Sequence, residues 1–276
     1  MLRDEAITIG SFDFLESELL AEVYALALEE HGVEIERTFN LGPRELVQPA
    51  LAAGLIEFVP EYSGTALQFM SLGEAEPRPD VDATHDALID VLAGGSMAAM
   101  TPAPAQDANV FVVSRETADR YGLASLTDLR DAASNLTFGG PPECPVRPFC
   151  LLGLEEVYGV KFDRFIALDA GGPLTHQALR NGYVDVALLF TTDPELIGSD
   201  LVKLTDDLSL QPAENVTPIV RREVIAGWGP EFEQVVNDVS SRLTTSELRQ
   251  LNARAAEGIE PSKVAQEWLT SWGYLP

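Results

Sequence analysis

The residues best suited to chemistry in this sequence stand together in the segment Tyr62-Ser63-Gly64-Thr65. The segment supplies an aromatic ring, two hydroxyl groups and a glycine between a buried apolar run at 55–59 and a helical run at 66–70. Ligands of open α/β sheets bind at the carboxyl ends of strands, where the next helix offers free backbone N–H groups. The segment therefore predicts a ligand-binding site.

Catalysis would need a nucleophile, a base and a stabilising group within reach of one another. The three histidines, His31, His85 and His176, are scattered, and none lies in a Gly-x-Ser-x-Gly or His-Glu-x-x-His motif. We expect a binding protein that is not an enzyme and has no cofactor and no metal. Steady turnover of a candidate ester would overturn this expectation.

The only two cysteines, Cys144 and Cys150, enclose five residues, of which two are prolines. A pair at this spacing suits redox chemistry or half of a metal site, but the sequence has no second cysteine pair and only three histidines to complete one. We favour a local disulfide. A disulfide would imply an oxidising compartment.

The elements that must position Tyr62 are a short helix at 46–53, stopped at Gly54, and the strand at 55–59. Pro60 is predicted to end this strand, because proline cannot donate to a ladder.

This unit recurs further along the chain. Positions 50–59 resemble 178–187 in the spacing of Ala-Leu, glycine and an acidic residue, and the strands at 7–11 and 136–140 both run into glycine. The repeat predicts two α/β lobes of like construction, with Tyr62 opposite Phe190; the alternative is a chance similarity between ordinary helix-glycine-strand units.

Composition limits the class of protein. The 276 residues have a mean hydropathy of +0.04, and no apolar run reaches the ~18 residues of a membrane span. The formal charge of −26 argues against nucleic acid or an anionic membrane surface as partner. Met1 precedes no apolar leader segment, so we expect an export leader to have been removed.

Two proline-containing polar segments, 101–109 and 208–215, are predicted to cross between the lobes. Lobe I would comprise 1–106 and 212–276, and lobe II 107–211. Paired crossings of this kind act as hinges in proteins that close around a ligand. Further helices are predicted at 15–31, 84–92, 114–121, 125–133, 151–158, 232–243, 245–257 and 261–272, and further strands at 33–39, 110–113, 165–168 and 217–220.

Several motifs along the chain resemble the substrate-binding proteins of osmoprotectant ABC transporters, which take up glycine betaine, choline and carnitine. The motifs are Ile7-Thr8-Ile9-Gly10-Ser11, Leu41-Gly42-Pro43-Arg44-Glu45, Pro60-Glu61-Tyr62-Ser63-Gly64-Thr65-Ala66-Leu67, Tyr158-Gly159-Val160-Lys161-Phe162, Gln177-Ala178-Leu179, Thr191-Thr192-Asp193 and Pro218-Ile219-Val220-Arg221. The resemblance spans nearly the whole chain and implies a two-lobed α/β fold of the type II periplasmic-binding-protein class, with a ligand cleft between lobes joined by two hinge crossings.

The resemblance also implies an aromatic cage for a quaternary ammonium, which ring faces attract at low desolvation cost. In this sequence Tyr62 matches a cage tyrosine, Thr65 the hydroxyl, Asp107 a backbone position at the cage edge, and Arg147 the arginine that meets a ligand carboxylate. The full expected ligand-binding set is Ser11, Phe12, Asp13, Tyr62, Ser63, Thr65, Asp107, Asn109, Arg147, Phe190, Thr191 and Glu214.

Four positions depart from the pattern of the family. Asn109, Phe190 and Glu214 stand where further tyrosines are expected, and Phe12 where the first loop carries a lysine. We therefore expect glycine betaine to bind weakly or not at all, and a larger or more hydroxylated ligand to place an apolar or aromatic portion on Tyr62 and Phe190.

The resemblance implies a small-molecule ligand, the membrane subunits of an ABC transporter as partners, and an extracytoplasmic location, periplasmic or as a cell-surface lipoprotein. We expect a monomer. Two alternatives stay open: the ligand-sensing domain of a regulator, although the sequence has no basic DNA-binding segment, and a binding domain fused to its transporter.

Overall fold

The computed structural model describes residues 6–196 and 200–275. The chain forms two compact units: unit 1 contains Met1–Asp107 and Ala213–Pro276, and unit 2 contains Ala108–Pro212. Unit 1 begins with β1 (Ile7–Gly10), α1 (Leu15–Glu30), β2 (Ile35–Thr38), α2 (Arg44–Ala53), β3 (Phe58–Tyr62), α3 (Ser63–Met70), α4 (Val81–Leu92) and β4 (Met97–Ala99). Unit 2 contains β5 (Asn109–Ser114), α5 (Arg115–Tyr121), α6 (Leu129–Ala132), β6 (Thr137–Gly140), α7 (Leu151–Gly153), β7 (Arg164–Ala167), α8 (Pro173–Arg180), β8 (Val186–Phe190) and β9 (Leu201–Lys203). Unit 1 is completed by β10 (Val216–Arg221), α9 (Arg222–Trp228), α10 (Pro230–Arg242), α11 (Thr245–Ala256) and α12 (Pro261–Ser271).

The sheet of unit 1 has the order β2-β1-β3-β10-β4, in which β10 runs antiparallel to β3 and β4. Its core is apolar, and α1 packs on the sheet through Tyr24, whose ring lies 5.3 Å from that of Phe58. The Tyr24 hydroxyl is 2.9 Å from Ser240 Oγ on α10, so the one polar atom of this buried ring has a partner.

The sheet of unit 2 repeats this arrangement with the order β7-β6-β8-β5-β9, in which β5 runs antiparallel to β8 and β9. Alternate residues of β5 enter different apolar clusters: Phe111 and Val113 belong to one, Val110 and Val112 to the other. Both faces of the sheet are therefore covered, as a largely parallel sheet requires. The equal strand orders give the two units like construction.

The predicted end of the central strand at Pro60 is wrong, because β3 continues to Tyr62. Pro60 lies opposite Pro218 of β10, and the Pro218 carbonyl accepts a hydrogen bond from Met100 N on the other side of that strand. The hydrogen bonds between β3 and β10 therefore require no backbone N–H from Pro60 or Pro218, so Pro60 does not end the strand. As a result α3 begins directly at Ser63, three residues before its predicted start.

Other predictions failed locally. The helix predicted at 125–133 is reduced to Leu129–Ala132, because Asp128 accepts hydrogen bonds from the backbone N–H groups of Ala124 and Ser125 and forms a turn. The helix predicted at 151–158 is α7 followed by a π-helical segment, Leu154–Tyr158. The three-residue strands β4 and β9 and the helix α9 were not predicted at all.

Candidate functional site

The junction of β3 and α3 carries the residues that the sequence singles out. Ser63, fully buried, donates from Oγ to Ala213 O at 3.2 Å and accepts from Asn215 N at 3.2 Å. Asn215 in turn pairs with Gln106 in an isolated antiparallel bridge. Ser63 therefore ties the β3–α3 junction to the segments of unit 1 where the chain leaves and re-enters it.

Tyr62 is held at the end of β3 by a buried polar network. Its hydroxyl donates to Glu16 Oε1 at 2.7 Å, and Asn252 Nδ2 donates to Glu16 Oε2 at 2.5 Å. Burial and the Glu16 carboxylate raise the pKa of Tyr62 well above its ordinary value, so the phenol stays protonated. The network fixes the position of the Tyr62 hydroxyl and therefore the direction in which the ring extends.

A row of three aromatic rings in unit 1 includes Tyr62. The Phe14 ring lies 6.2 Å from that of Tyr62 and 5.9 Å from that of Phe12, with interplanar angles of 29° and 3°. The Arg44 guanidinium carbon lies 5.0 Å from the Phe12 centroid. Phe12 thus has Phe14 and Arg44 as neighbours and is 3% exposed, which makes it the support of the row.

Arg44 forms a two-pronged ion pair with Glu61, with Nε–Oε1 and Nη2–Oε2 distances of 2.9 and 2.7 Å. Gln48 Nε2 donates to the same carboxylate at 2.5 Å, and Glu61 is fully buried. Burial disfavours the charged guanidinium, but the Glu61 carboxylate outweighs it and raises the pKa of Arg44. Arg44 is thus a fixed cation beside the aromatic row.

Glu214 lies against the start of α3. Its carboxylate accepts hydrogen bonds from Thr65 N, at 3.1 Å, and from the Thr65 hydroxyl. Burial raises the pKa of Glu214 to about 7, although the Thr65 bonds and Arg44 oppose the shift. The site thus contains an acid that titrates near neutral pH, and Thr65 is committed to it.

The remaining unit 1 residues of the expected ligand-binding set are Ser11, Asp13 and Asp107. Ser11 is fully buried, and its Oγ donates to Phe12 O at 3.0 Å and accepts from Asn40 N at 2.9 Å. Asp13 is exposed, whereas Asp107 is buried and donates its backbone N–H to Glu214 O at 2.9 Å. Ser11 therefore shapes the loop, and Asp107 contributes through its backbone.

The residues of the expected ligand-binding set that lie in unit 2 are Asn109, Arg147, Phe190 and Thr191. Asn109 Nδ2 donates to Phe149 O at 3.1 Å, and Gln211 Nε2 donates to the same carbonyl at 2.9 Å. Thr191 Oγ1 accepts from Ala108 N at 3.0 Å, beside Phe190 at the end of β8. The amide of Asn109 therefore helps to order the loop between the two cysteines.

The disulfide Cys144–Cys150 is formed, with a Cα–Cα distance of 5.3 Å, as predicted. Both cysteines are buried, and Arg147 between them is half-buried. The cross-link closes the loop that carries Arg147, so the position of this arginine depends on a covalent constraint.

Unit 1 therefore brings together Phe12, Tyr62, Thr65 and Glu214, while unit 2 holds Asn109, Arg147, Phe190 and Thr191. The sequence analysis missed Glu16 and Asn252, which are 236 positions apart and carry no joint signal. It also missed Phe14, although its spacing of two residues from Phe12 was a usable sign of a shared face.

The described residues contain no group of three or more His, Cys, Asp and Glu side chains able to hold a metal ion. Within the same ranges, 6–196 and 200–275, every helix falls short of the length and apolar character that a membrane crossing demands.

Two five-stranded sheets with matching strand orders, and aromatic residues ending β3 and β8, define the class of the type II periplasmic binding proteins. The predicted fold class is confirmed by a solved glycine betaine/carnitine/choline ABC transporter protein, which matches with a TM-score of 0.76 and 26% identity over 97% of this chain and 99% of that one. The structure of apo YehZ from Escherichia coli matches with a TM-score of 0.69 and 27% identity over 98% of this chain and 99% of that one.

The chain belongs to the family of substrate-binding domains of ABC-type glycine betaine transport systems, whose model matches residues 5–271. It is 28% identical to the glycine betaine-binding protein YehZ of Escherichia coli K12, over 97% of this chain and 91% of that protein. It is 29% identical to a glycine-betaine-binding protein of Pseudomonas aeruginosa, over 98% and 88% of the two chains. The family resemblance seen in the sequence is thereby confirmed, and the chain is a solute-binding protein of an ABC transporter.

Proposed function

We propose that the chain captures a quaternary-ammonium solute larger than glycine betaine and delivers it to an ABC importer. The observation that carries this proposal is the Tyr62 ring, locked by Glu16 and backed by Phe14, with the Glu214 carboxylate in the same unit. A ring face and a carboxylate both attract an organic cation. Arg44 is neutralised by Glu61 and so does not cancel this attraction.

Glycine betaine itself is a poor fit. Each lost tyrosine face removes roughly 0.5–2 kcal/mol of cation–π attraction, and a few such losses move a micromolar ligand toward millimolar. Glu214 adds a negative charge that offsets part of this loss for the ammonium and repels a carboxylate held close to it. A longer ligand can hold its ammonium near Glu214 and its carboxylate away from it. Its apolar or aromatic portion would then lie on Tyr62 and Phe190.

The ligand-binding residues that we propose are the set expected from the sequence. Tyr62 and Phe190 supply ring faces, Glu214 and Thr65 the polar side of unit 1, and Arg147 the cation for a ligand carboxylate. Asn109 and Thr191 order their loops, and Ser11, Phe12, Asp13, Ser63 and Asp107 complete and support the set.

We further propose that unit 1 and unit 2 act as the two lobes and close about hinges near Gln106 and Gln211. The lobe boundaries expected from the sequence, 1–106 with 212–276 and 107–211, lie one residue before those of the units. The proposal is supported by the two crossings of the chain, which the Gln106–Asn215 bridge joins. Hinges of such proteins are short segments that absorb the backbone change of closure.

Export is part of this proposal. Family members are extracytoplasmic, and the Cys144–Cys150 disulfide suits an oxidising compartment. We propose a periplasmic protein or a cell-surface lipoprotein that works as a monomer and performs no catalysis. Cell fractionation with mass analysis of the N-terminus distinguishes the two locations, and recovery in the cytoplasm would contradict both.

A second candidate is a binding domain fused to its permease. It is favoured by the ergothioneine transport permease/ergothioneine binding protein EgtU of Helicobacter pylori, 23% identical over 99% of this chain but only 48% of that protein. The mass of the mature polypeptide decides between a free and a fused domain.

The test is a thermal-shift screen followed by calorimetry. The panel contains glycine betaine, choline, carnitine, ergothioneine, polyols and aromatic metabolites, since a ligand that binds only the folded state raises the melting temperature by mass action. We expect a larger quaternary ammonium to stabilise the protein most. Low-micromolar affinity for glycine betaine, or steady consumption of any panel member, would contradict the proposal.

A further inference from the structure

The backbone carbonyl of Phe149, in the loop closed by the disulfide, accepts two side-chain hydrogen bonds. Asn109 Nδ2 donates to it at 3.1 Å, and Gln211 Nε2 donates to it at 2.9 Å. Asn109 is the second residue of unit 2, and Gln211 is the last but one. We call these two hydrogen bonds the Phe149 clamp. It joins the disulfide loop to the two places where the chain enters and leaves unit 2.

Arg147 is tied by its backbone to both cysteines of the same loop. Its N–H donates to Cys144 O at 3.2 Å, and its carbonyl accepts from Cys150 N at 3.1 Å. The two cysteines are only six positions apart, and Phe149 directly precedes the second of them. Because the disulfide restricts the backbone of this short loop, a displacement of Phe149 also displaces Arg147.

The segment that carries Gln211 is fixed to unit 2 independently of its side-chain amide. The Asp206 carboxylate accepts hydrogen bonds from Leu210 N at 2.9 Å and from Gln211 N at 2.7 Å. The hydroxyl of Tyr158 donates to the same carboxylate. The Gln211 side chain therefore reaches the Phe149 carbonyl from a backbone that is already held in place.

Close packing also brings the disulfide loop against this segment. A β-carbon added at Gly153 would lie 1.7 Å from Pro148 O and 2.7 Å from Leu210 Cδ1, so the close approach at this position requires glycine. Leu210 belongs to the apolar cluster that contains both cysteines. The contact between the loop and the end of unit 2 thus rests on packing as well as on hydrogen bonds.

We propose that Gln211 is a positioning residue for the carboxylate of the ligand, and that it acts with Asn109 through the Phe149 carbonyl to set the position of Arg147. The arginine is assigned to a ligand carboxylate and not to the ammonium. Loss of the Phe149 clamp therefore weakens ligands that carry a carboxylate and spares those that have none. This inference rests on the proposed function for the role of Arg147, and it adds Gln211, which lies outside the expected ligand-binding set.

The first test compares carnitine, which has a carboxylate, with choline, which has none, by calorimetry on the parent protein and on Gln211→Met. Methionine keeps the length of the side chain and removes the donor. We expect the Kd for carnitine to rise about fivefold, the size of one net hydrogen bond, and the Kd for choline to stay the same. Gln234→Met, at an exposed position of α10, is the matched control and should change neither value. Equal weakening of both ligands would overturn the proposal.

Double variants show whether Gln211 acts through the arginine. Arg147→Gln alone should weaken carnitine more than Gln211→Met does and should also spare choline. In the Arg147→Gln background, Gln211→Met should have no further effect, because the effects of residues that act through one another are not additive. Asn109→Leu removes the other donor of the clamp and should behave in the same way, so the test does not depend on the folding of one variant. A full additional effect in the Arg147→Gln background would refute the proposal.

A measurement without ligand separates this proposal from the function on which it rests. Hydrogen exchange followed by mass spectrometry reports how often the backbone N–H groups of Arg147 and Cys150 open to solvent. We expect these groups to exchange about fivefold faster in Gln211→Met than in the parent protein, and at the parent rate in Gln234→Met. Unchanged exchange in Gln211→Met would overturn the clamp however tightly carnitine binds. Faster exchange, combined with a parent protein that binds neither carnitine nor choline, would support the clamp and contradict the proposed ligand class alone.

Discussion

The hydroxyl of Tyr62 lies 2.7 Å from the carboxylate of Glu16, and both side chains are buried. The carboxylate accepts a second hydrogen bond from Asn252, so α1 and α11 meet at the residue that ends β3. The ring that we assign to the ligand is therefore positioned by helices that lie far from it in the sequence.

Replacement of Glu16 is expected to destabilise the protein. Glu16→Ala leaves the Tyr62 hydroxyl and the Asn252 amide without this acceptor, so the free energy of unfolding should fall by about 1–3 kcal/mol. The control is Glu18→Ala, on the same turn of α1, whose carboxylate accepts an exposed hydrogen bond from Asn40. Urea unfolding measures both, and equal losses in the two variants would contradict the prediction.

Glu214 is expected to make stability depend on pH. Its pKa is about 7 in the folded protein against 4.5 ordinarily, so between these values the native state keeps a proton that the unfolded state has lost. The free energy of unfolding should therefore fall as pH rises from about 4.5 to about 7, by up to about 3 kcal/mol. The difference between the parent protein and Glu214→Gln isolates this effect. Glu74→Gln, at an exposed position, should show no such difference.

Ligand binding is expected to depend on both the ring and the acid. Tyr62→Ala should weaken binding of the ligand found in the screen by about tenfold or more, through loss of cation–π attraction and contact area. Glu214→Ala should weaken it further, and the double variant should not bind measurably in calorimetry. Tyr183→Ala, at a position 69% exposed, is the matched control. Unchanged affinity in the double variant would disprove the assignment.

Removal of the disulfide is expected to cost stability. Cys144→Ser with Cys150→Ser frees a short loop, for which the chain-entropy model gives about 2 kcal/mol. Urea unfolding of the parent and the double variant measures the difference, and reductant should bring the parent to the level of the variant. Mass spectrometry that finds two free thiols in protein prepared under oxidising conditions would rule out the cross-link.

Ligand binding is also expected to bring the lobes together. The radius of gyration from solution scattering should decrease when the ligand identified in the screen is saturating, because closure about the hinges near Gln106 and Gln211 makes the chain more compact. Glycine betaine at the same concentration should have a smaller effect. Identical profiles with and without the tight ligand would show that no closure occurs.

The sequence was sufficient to predict the helices and strands whose pattern arises from neighbouring residues. The apolar periodicity and the glycine stop of α1 and α2, and the repeat that aligns Gly54 with Gly182, all arise from residues close together in the chain. Pro60 was misread because its tolerance in a strand depends on the register with Pro218, which lies on a strand formed 158 residues later. Local patterns contain no information on register between distant strands.

The candidate site was predictable to a lesser extent. Tyr62 and the start of α3 followed from a strand-to-helix transition, but the partners that decide what each residue does did not. Thr65 is expected to meet the ligand, but the sequence did not indicate that its hydroxyl and N–H both bond to Glu214. Pairings such as this one, across 149 positions, are set by packing and burial rather than by propensity.

The interior position of β10, between β3 and β4 in the sheet of unit 1, also sets an order of events during synthesis. Unit 2 is a continuous stretch, Ala108–Pro212, and so is complete before β10 leaves the ribosome. Until residue 221 has been made, β3 lacks its neighbour on one side and exposes an open edge. At translation rates of about 5–20 residues per second, this edge stays open for roughly 8–30 seconds, so the nascent chain is most exposed to aggregation while unit 2 is already folding.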